Sequence, residues 1–309
     1  MPEPTNRLKG VLCMVGAGLC WSTGGILIRS VTLTDAWEIV FWRAVFLTAF
    51  IGLFLTVRYR RRFIMQVTAV GLPGVVAGAL LASTSFLFIA SVMRTTVANA
   101  LVLMSTTPFM TALLARLFLG EQVPWRTALA MTAGLAGIAL MFADALGSGA
   151  LIGNLLACGV PVVFAANVIL LRHKGATADM MPTVLLTGLI ALIVALPFGW
   201  PFTASSHDVS VLAVMGVCQL GFGFLFFMSA IPHLSAAEIG LLSLLETIFG
   251  PVWVWLGTGE RPSDIALVGG GIVVTSLLVN EIAAMQGVRA AASAFGQRRR
   301  LPAAGSQSG

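Results

Sequence analysis

The residue in this chain best placed to do chemistry is Glu246, at the middle of the apolar run 236–256. A charged side chain at the centre of a membrane helix costs on the order of 3 kcal/mol by insertion scales. Such a carboxyl must stay protonated, pair with a cation or face a water-filled cavity. Each option suits a site that gains and loses a proton as it alternates between two faces. On a helix, Ser243, Glu246, Gly250 and Trp253 are spaced 3, 4 and 3 and share one face. The plainer role is a buried acid that only holds helices together. Arg43 is the other ionisable group well inside a run. It would serve as counter-charge for a substrate carboxylate or for Glu246, or else snorkel to the outer headgroups on its long stem.

Weaker candidates surround these two. In Ser105-Thr106-Thr107-Pro108, the proline frees the carbonyl of Met104, and hydroxyls or waters are the means to satisfy it at mid-membrane depth. Gly18, Ser22, Gly25 and Arg29 form a stripe beside Trp21 that lines a pathway or, more plainly, lets helices approach. Gly71, Gly74, Gly78, Ala82 and Ser85 read as close packing, with Ser83 and Thr84 able to add hydroxyls to a cavity. Asn167 and Gln219 are intramembrane amides that need a partner, whether substrate or a neighbouring helix. The candidate set is therefore Glu246 for coupling, with Arg43, Trp21, Ser22, Ser83, Thr107, Asn167, Gln219 and Ser243 for substrate. Glu238 has capping-box spacing from Ser235, and Thr96 and Asn99 occupy the matching places earlier. Glu121 and Glu260 precede helices whose positive ends favour acids. Cys13, Cys20, Cys158 and Cys218 have no CxxC spacing, and His173, His207 and His233 do not cluster. No cofactor or metal site is expected.

The elements that must position these groups follow from composition. Of 309 residues, 58% are hydrophobic and only 10% charged, too little polar material to cover a water-facing surface. Mean hydropathy is +0.97. Apolar runs cover 10–29, 37–57, 68–91, 96–118, 125–143, 151–171, 182–201, 209–230, 236–256 and 265–283. Each is about 20 residues, the length that crosses a hydrocarbon core as a helix. They lack the strict alternation of barrel strands. The first run follows Arg7 and Lys9 but has no small-x-small cleavage pattern, so it is read as a retained helix. The expected fold is an all-α integral membrane protein of ten transmembrane helices in two five-helix halves, 8–143 and 151–283, with a basic, unstructured tail 284–309. An odd number of crossings per half inserts the second copy from the opposite side, giving inverted repeats as in secondary transporters.

Net charge is +6, but its location argues for a membrane surface rather than nucleic acid. With the N-terminus in the cytoplasm, all of the 18 Lys and Arg except Arg29, Arg43, Arg94 and Arg261 fall on the cytoplasmic side. The positive-inside rule then places both termini in the cytoplasm, and the expected location is the inner (plasma) membrane. Arg58–Arg62 and Arg298–Arg300 act as surface anchors. Trp37, Trp42, Trp200, Trp253 and Trp255 suit an outer interfacial belt, and Trp125 an inner one.

A shift of 139 lays Leu119-Gly120-Glu121 over Thr258-Gly259-Glu260 and pairs Ala98 with Ala237, Leu103 with Leu242 and Leu117 with Leu256. A shift of 143 matches Gly10 to Gly153 and Arg29 to Arg172. The segment Thr107-Pro108-Phe109 to Leu119-Gly120-Glu121, with its copy Leu245-Glu246-Thr247 to Gly259-Glu260, resembles the hallmark of EamA-type permeases of the drug/metabolite transporter superfamily. That hallmark is a membrane-centred x-x-Pro, an apolar stretch and Gly-Glu. The resemblance covers about 8–142 and 151–283. The second copy has Thr247 where the pattern has proline, with Pro251 four residues later, which leaves the bend near Glu246 open. The resemblance implies export of small metabolites, amino acids among them and drugs as a further class, driven by ion gradients.

The leading expectation is a proton-coupled exporter working by alternating access, with a small-molecule substrate, a proton or other coupling ion and the lipid bilayer as partners, and no nucleic acid. A homodimer stays open. An exchanger of phosphorylated or nucleotide-linked sugars would want several cavity cations, and only Arg43 qualifies. An intramembrane lipid enzyme would need clustered acid, base and nucleophile, and no GxSxG, paired aspartates or His-x-x-x-x-Asp appears. A non-transporting helper is the last alternative.

Overall fold

The computed structural model describes residues 4–120, 123–173, 181–230, 233, 236–259 and 263–300. They form α1 (Pro4–Ser22), α2 (Gly24–Arg29), α3 (Ala36–Tyr59), α4 (Phe63–Ala69), α5 (Gly71–Val92), α6 (Val97–Met104) and α7 (Thr107–Leu119). Then come α8 (Trp125–Ser148), α9 (Leu151–His173), α10 (Met181–Ala195), α11 (Ser206–Val214), α12 (Gly223–Ala230), α13 (Ala236–Thr258) and α14 (Asp264–Arg300). A π-helical stretch, Met215–Phe222, joins α11 to α12, and α14 runs on to Arg300, so residues 284–300 of the segment expected to be unstructured are helical.

Among the described residues, six stretches are long and apolar enough to cross a membrane: Leu8–Arg29, Ala36–Ala69, Gly71–Val92, Val97–Phe118, Trp125–Ala143 and Ser206–Ala230. Shorter apolar helices cover Leu151–Asn167, Met181–Ala195 and Asp264–Asn280. The outward surface carries Leu53, Leu72, Phe118, Leu129, Leu256 and Val268, each more than half exposed. Apolar side chains cover the outside as well as the inside, as a bilayer requires.

Helix ends follow local chemistry. Asp35 caps α3 by accepting from Trp37 N at 3.0 Å. Thr96 caps α6 by accepting from Asn99 N at 3.1 Å, as its spacing predicted. The glycine of each Gly-Glu pair ends a helix in the left-handed region, Gly120 at φ 68° and Gly259 at φ 71°. A side chain is strained there, so this half of the repeated motif has a backbone reason. The Gly259 N–H donates to the Trp255 carbonyl at 3.0 Å, closing α13. Glu121, Ser235, Glu238 and Glu260 lie outside the described residues or have undescribed side chains.

The pairings of helices show a pattern. α5 packs on α9 as α1 packs on α12, and α6 and α7 pack on α9 as α13 packs on α1 and α2. α5 meets α10 as the π-helical stretch meets α3, and α3–α10, α6–α13 and α8–α14 also pack together; α3–α5, α8–α9 and α13–α14 are further contacts outside this pattern. The largest apolar cluster, with Val40, Ile89, Leu103, Val160, Leu212 and Met215 buried in it, ties α3, α5, α6, α9 and α11 together.

Candidate functional site

Arg43 is a charged side chain buried in the interior. It is 3% exposed on α3, so it does not snorkel to a headgroup, and that reading of its long stem is overturned. Its Nη2 donates to Gln219 Oε1 at 3.2 Å, while Nε and Nη1 are buried without a partner. Among the described residues no carboxylate pairs with it, Glu246 included. A desolvated guanidinium with two unused donors is costly, by several kcal/mol even after relaxation. It faces a cavity of about 10 Å³, barely room for one water, which Ser85, Thr187, Gly188 and Leu220 help to line.

The partner for Arg43 comes from the π-helical stretch. Gln219 is 4% exposed within it. π-Helical segments are rare and turn up disproportionately at functional sites. Gly216, one turn before Gln219, makes the approach feasible. A Cβ there would lie 2.7 Å from the Arg43 carbonyl oxygen and 3.0 Å from Leu47 N. Any side chain at 216 would therefore push this backbone off α3 and take Gln219 with it.

Glu246 is partly buried on α13, and no hydrogen-bonding or ionic partner for it is found among the described residues. Its helix packs on α1, where Gly18 admits Leu245, with a Cβ at 18 falling 3.3 Å from Leu245 Cβ. Two turns further on, Trp253 Nε1 donates to Ser22 Oγ at 3.0 Å. Ser22 is 1% exposed and passes its own proton to the Leu19 carbonyl. Trp253 is thus bonded inward and stacked on Phe249, with ring centroids 6.0 Å apart, rather than serving the outer belt. Trp21 turns the other way, its ring 5.9 Å from Phe224 and 5.5 Å from Phe227, with Gly223 making room for the indole.

The remaining candidates divide. Thr107 Oγ1 donates to the Met104 carbonyl at 2.7 Å, the satisfaction that Pro108 makes necessary. Asn167 is 3% exposed and donates Nδ2 to the Ala77 carbonyl at 2.8 Å, a bond between α9 and α5. Ser83 is a correction. It lies on the exposed face of α5 and returns its hydroxyl to the Ala79 carbonyl at 2.9 Å, because the buried face of that helix runs through Gly74, Ala77, Gly78 and Ala82. Ser85, expected only to pack, is the α5 hydroxyl beside the Arg43 cavity. The side chain of Ser243 is outside the described residues.

Two acids escaped the sequence reading. Glu38, 1% exposed near the start of α3, accepts from Thr203 N, Ala204 N and Thr203 Oγ1 at 2.7–2.9 Å. Asp208, near the start of α11, accepts from Thr32 N and Thr32 Oγ1 at 2.7 Å. Each helix start thus holds the loop that precedes the other. An acid three residues into a helix ordinarily reads as a cap, which is why these reaches across the fold were not visible. Nearby, Thr95 Oγ1 donates to Asn154 Oδ1 at 2.7 Å and Arg29 Nη2 donates to the Thr95 carbonyl at 3.0 Å.

The EamA-like transporter family matches residues 8–143 and again 151–281. The chain belongs to this family. It is accordingly a multi-pass membrane transporter of the drug/metabolite transporter superfamily, not an enzyme. This EamA-like chain is similar to the pseudopaline exporter CntI of Pseudomonas aeruginosa strains UCBPP-PA14 and PAO1. Identity is 27% in both cases over 283 residues, 87% of this chain and 95% of the relative. A solved crystal structure matches at a TM-score of 0.65 and 16% identity, covering 90% of this chain and 98% of the other, a likeness of fold alone.

Proposed function

We propose that this transporter exports small carboxylate-bearing metabolites, amino acids or related compounds, across the inner membrane by alternating access. The single observation that carries the reading is the Arg43 guanidinium. It is sealed in the core, held by Gln219 through one nitrogen, with its other two nitrogens left without a partner. A guanidinium with N–H groups to spare suits a carboxylate, and binding would offset the cost of burying the charge. The cavity beside it is too small for any metabolite as it stands, so loading requires helices to move apart.

The helix pairings support ten crossings arranged as two inverted five-helix repeats, 8–143 and 151–283. Exchanging the halves turns the most extensive pairings into one another: α5–α9 into α1–α12, α7–α9 into α1–α13, and α3–α10, α6–α13 and α8–α14 each into itself. Both termini are then cytoplasmic, in keeping with the distribution of Lys and Arg. Glu246 is the coupling group, protonated when its cavity opens outward and deprotonated when it opens inward, with the proton gradient driving the cycle. Ser22 and Trp21 stand on α1, which packs on its helix, Ser243 lies three residues before it on α13, and Thr107 occupies its place in the other half. Similarity to an exporter favours outward movement.

The test is flux in liposomes with an imposed pH gradient, after a thermal-shift screen of amino acids, amines and drugs on the purified protein. An acid-bearing ligand should raise the melting temperature of the native protein and not of Arg43→Gln. Equal shifts in both proteins, or ligands confined to amines, would remove the carboxylate assignment.

A further inference from the structure

A groove of about 660 Å³ runs along the outside of the molecule between α8 and α14, away from Arg43 and Glu246. Its lining is apolar and small where the helices converge, at Ala130, Ala133 and Gly271, and walled by Val279. A Cβ added at Gly271 would meet nothing within 4 Å, so this glycine faces open space rather than a neighbouring helix. At one end stands Trp125, 79% exposed, at the first residue of α8. Beside it Arg126 donates Nη1 to the Ala283 carbonyl at 2.9 Å, while its Nε is buried without a partner. Thr127 Oγ1 donates to Asn280 Oδ1 at 2.9 Å and fixes the two helices at this end.

Length and charge identify the occupant. From Val268 to Ala283 the groove follows sixteen residues of α14, and fifteen helical steps of about 1.5 Å give about 22 Å. One leaflet of hydrocarbon is about 15 Å deep, so the groove extends from headgroup level past the acyl region of a single leaflet. Trp125 is the type of residue that rests at the headgroup boundary. A cation in the first turn of a helix opposes the positive end of that helix, a position that favours a bound anion close by.

We propose that this groove holds one phospholipid with an anionic headgroup, its phosphate region on Arg126 beside Trp125 and an acyl chain along Ala130, Ala133 and Gly271. The proposal needs only a protein embedded in a bilayer and is independent of what Glu246 or Arg43 do.

The experiment is competition between phosphatidylglycerol and phosphatidylcholine of identical chains on the full-length purified protein. Bound lipid is counted by native mass spectrometry and melting temperature is read in parallel. The native protein should prefer phosphatidylglycerol about fivefold, the effect of one basic residue at an anionic surface. Arg126→Gln should erase the preference, and Arg126→Lys should keep part of it. Should Arg126→Gln fail to fold once Ala283 loses its donor, Gly271→Leu takes its place. That change fills the groove without meeting protein, and it should lower occupancy by both lipids with the fold intact. Equal binding of the two lipids by native protein would overturn the assignment. So would the same melting shift from inorganic phosphate alone, or a second copy of the chain protecting Trp125 from quencher.

Discussion

Two segments with the same register in the repeat, α6–α7 and α13, handle mid-membrane depth in opposite ways. The first is broken, α6 ending at Met104 and α7 starting at Thr107. The second is one helix from Ala236 to Thr258 with Pro251 inside it. Proline alone does not explain the contrast, since both contain one. Before Pro108, three successive hydroxyls turn back on the chain. Ser105, Thr106 and Thr107 donate to the carbonyls of Val102, Leu103 and Met104, each at 2.7 Å. Such bonds compete with the helical ladder and, with a proline next in line, end it. Before Pro251 stand Ile248, Phe249 and Gly250, which offer no competing donors. The matching position to Thr107 is Glu246, so one half spends its polar group on its own backbone while the other holds a carboxyl with no partner among the described residues.

The largest effect expected from this contrast is on transport. Glu246→Gln should bring gradient-driven flux down to that of empty liposomes while the protein still enters the membrane and melts cooperatively. Retained, pH-dependent flux would strip Glu246 of its part in coupling. Thr247→Pro, which makes α13 resemble the other half, should cost about 3 kcal/mol through a lost hydrogen bond and a ring clash. A melting curve in detergent checks it, and an unchanged midpoint would mean that α13 is already bent at Glu246. Thr107→Val keeps shape but leaves the Met104 carbonyl unsatisfied, with a loss of about 1–3 kcal/mol on the same curve. Stability equal to the native protein would show that another group already serves that carbonyl. Ser83→Ala is the smallest, within about 0.5 kcal/mol and without effect on flux, because its hydroxyl lies on the exposed face. A flux defect there would place Ser83 back in the pathway.

Much of this contrast was legible in the chain. The need for a donor to the Met104 carbonyl follows from the chemistry of proline, and Thr107 fills it. The cap at Thr96 and the left-handed glycines Gly120 and Gly259 follow from local rules too, because each concerns groups within one helical turn. Arg43 shows where such reading stops. Its depth was visible from its position in an apolar run, but the choice between headgroup and core depends on Gln219, 176 residues away. Ser83 and Ser85 differ by two positions, and only the rotation of α5 against α9 and α10 decides which of them faces the interior. Glu38 stands three residues into α3, where an acid serves its own helix start by local rules, and only the tertiary fold brings the loop at Thr203 and Ala204 over it.

By itself, the sequence determined that the protein is helical and apolar outside and in, since hydrophobic content and local backbone chemistry leave no other solvent for it than a bilayer, and its repeated x-x-Pro to Gly-Glu motif carried the likeness to metabolite transporters. The tertiary structure alone decided which polar groups share the interior. Hydrogen bonds between residues far apart in the chain depend on how helices rotate and cross, and a run of Leu, Val, Ala and Gly sets a helix without setting its azimuth. The exposed Ser83 and the half-satisfied guanidinium of Arg43 both follow from that freedom.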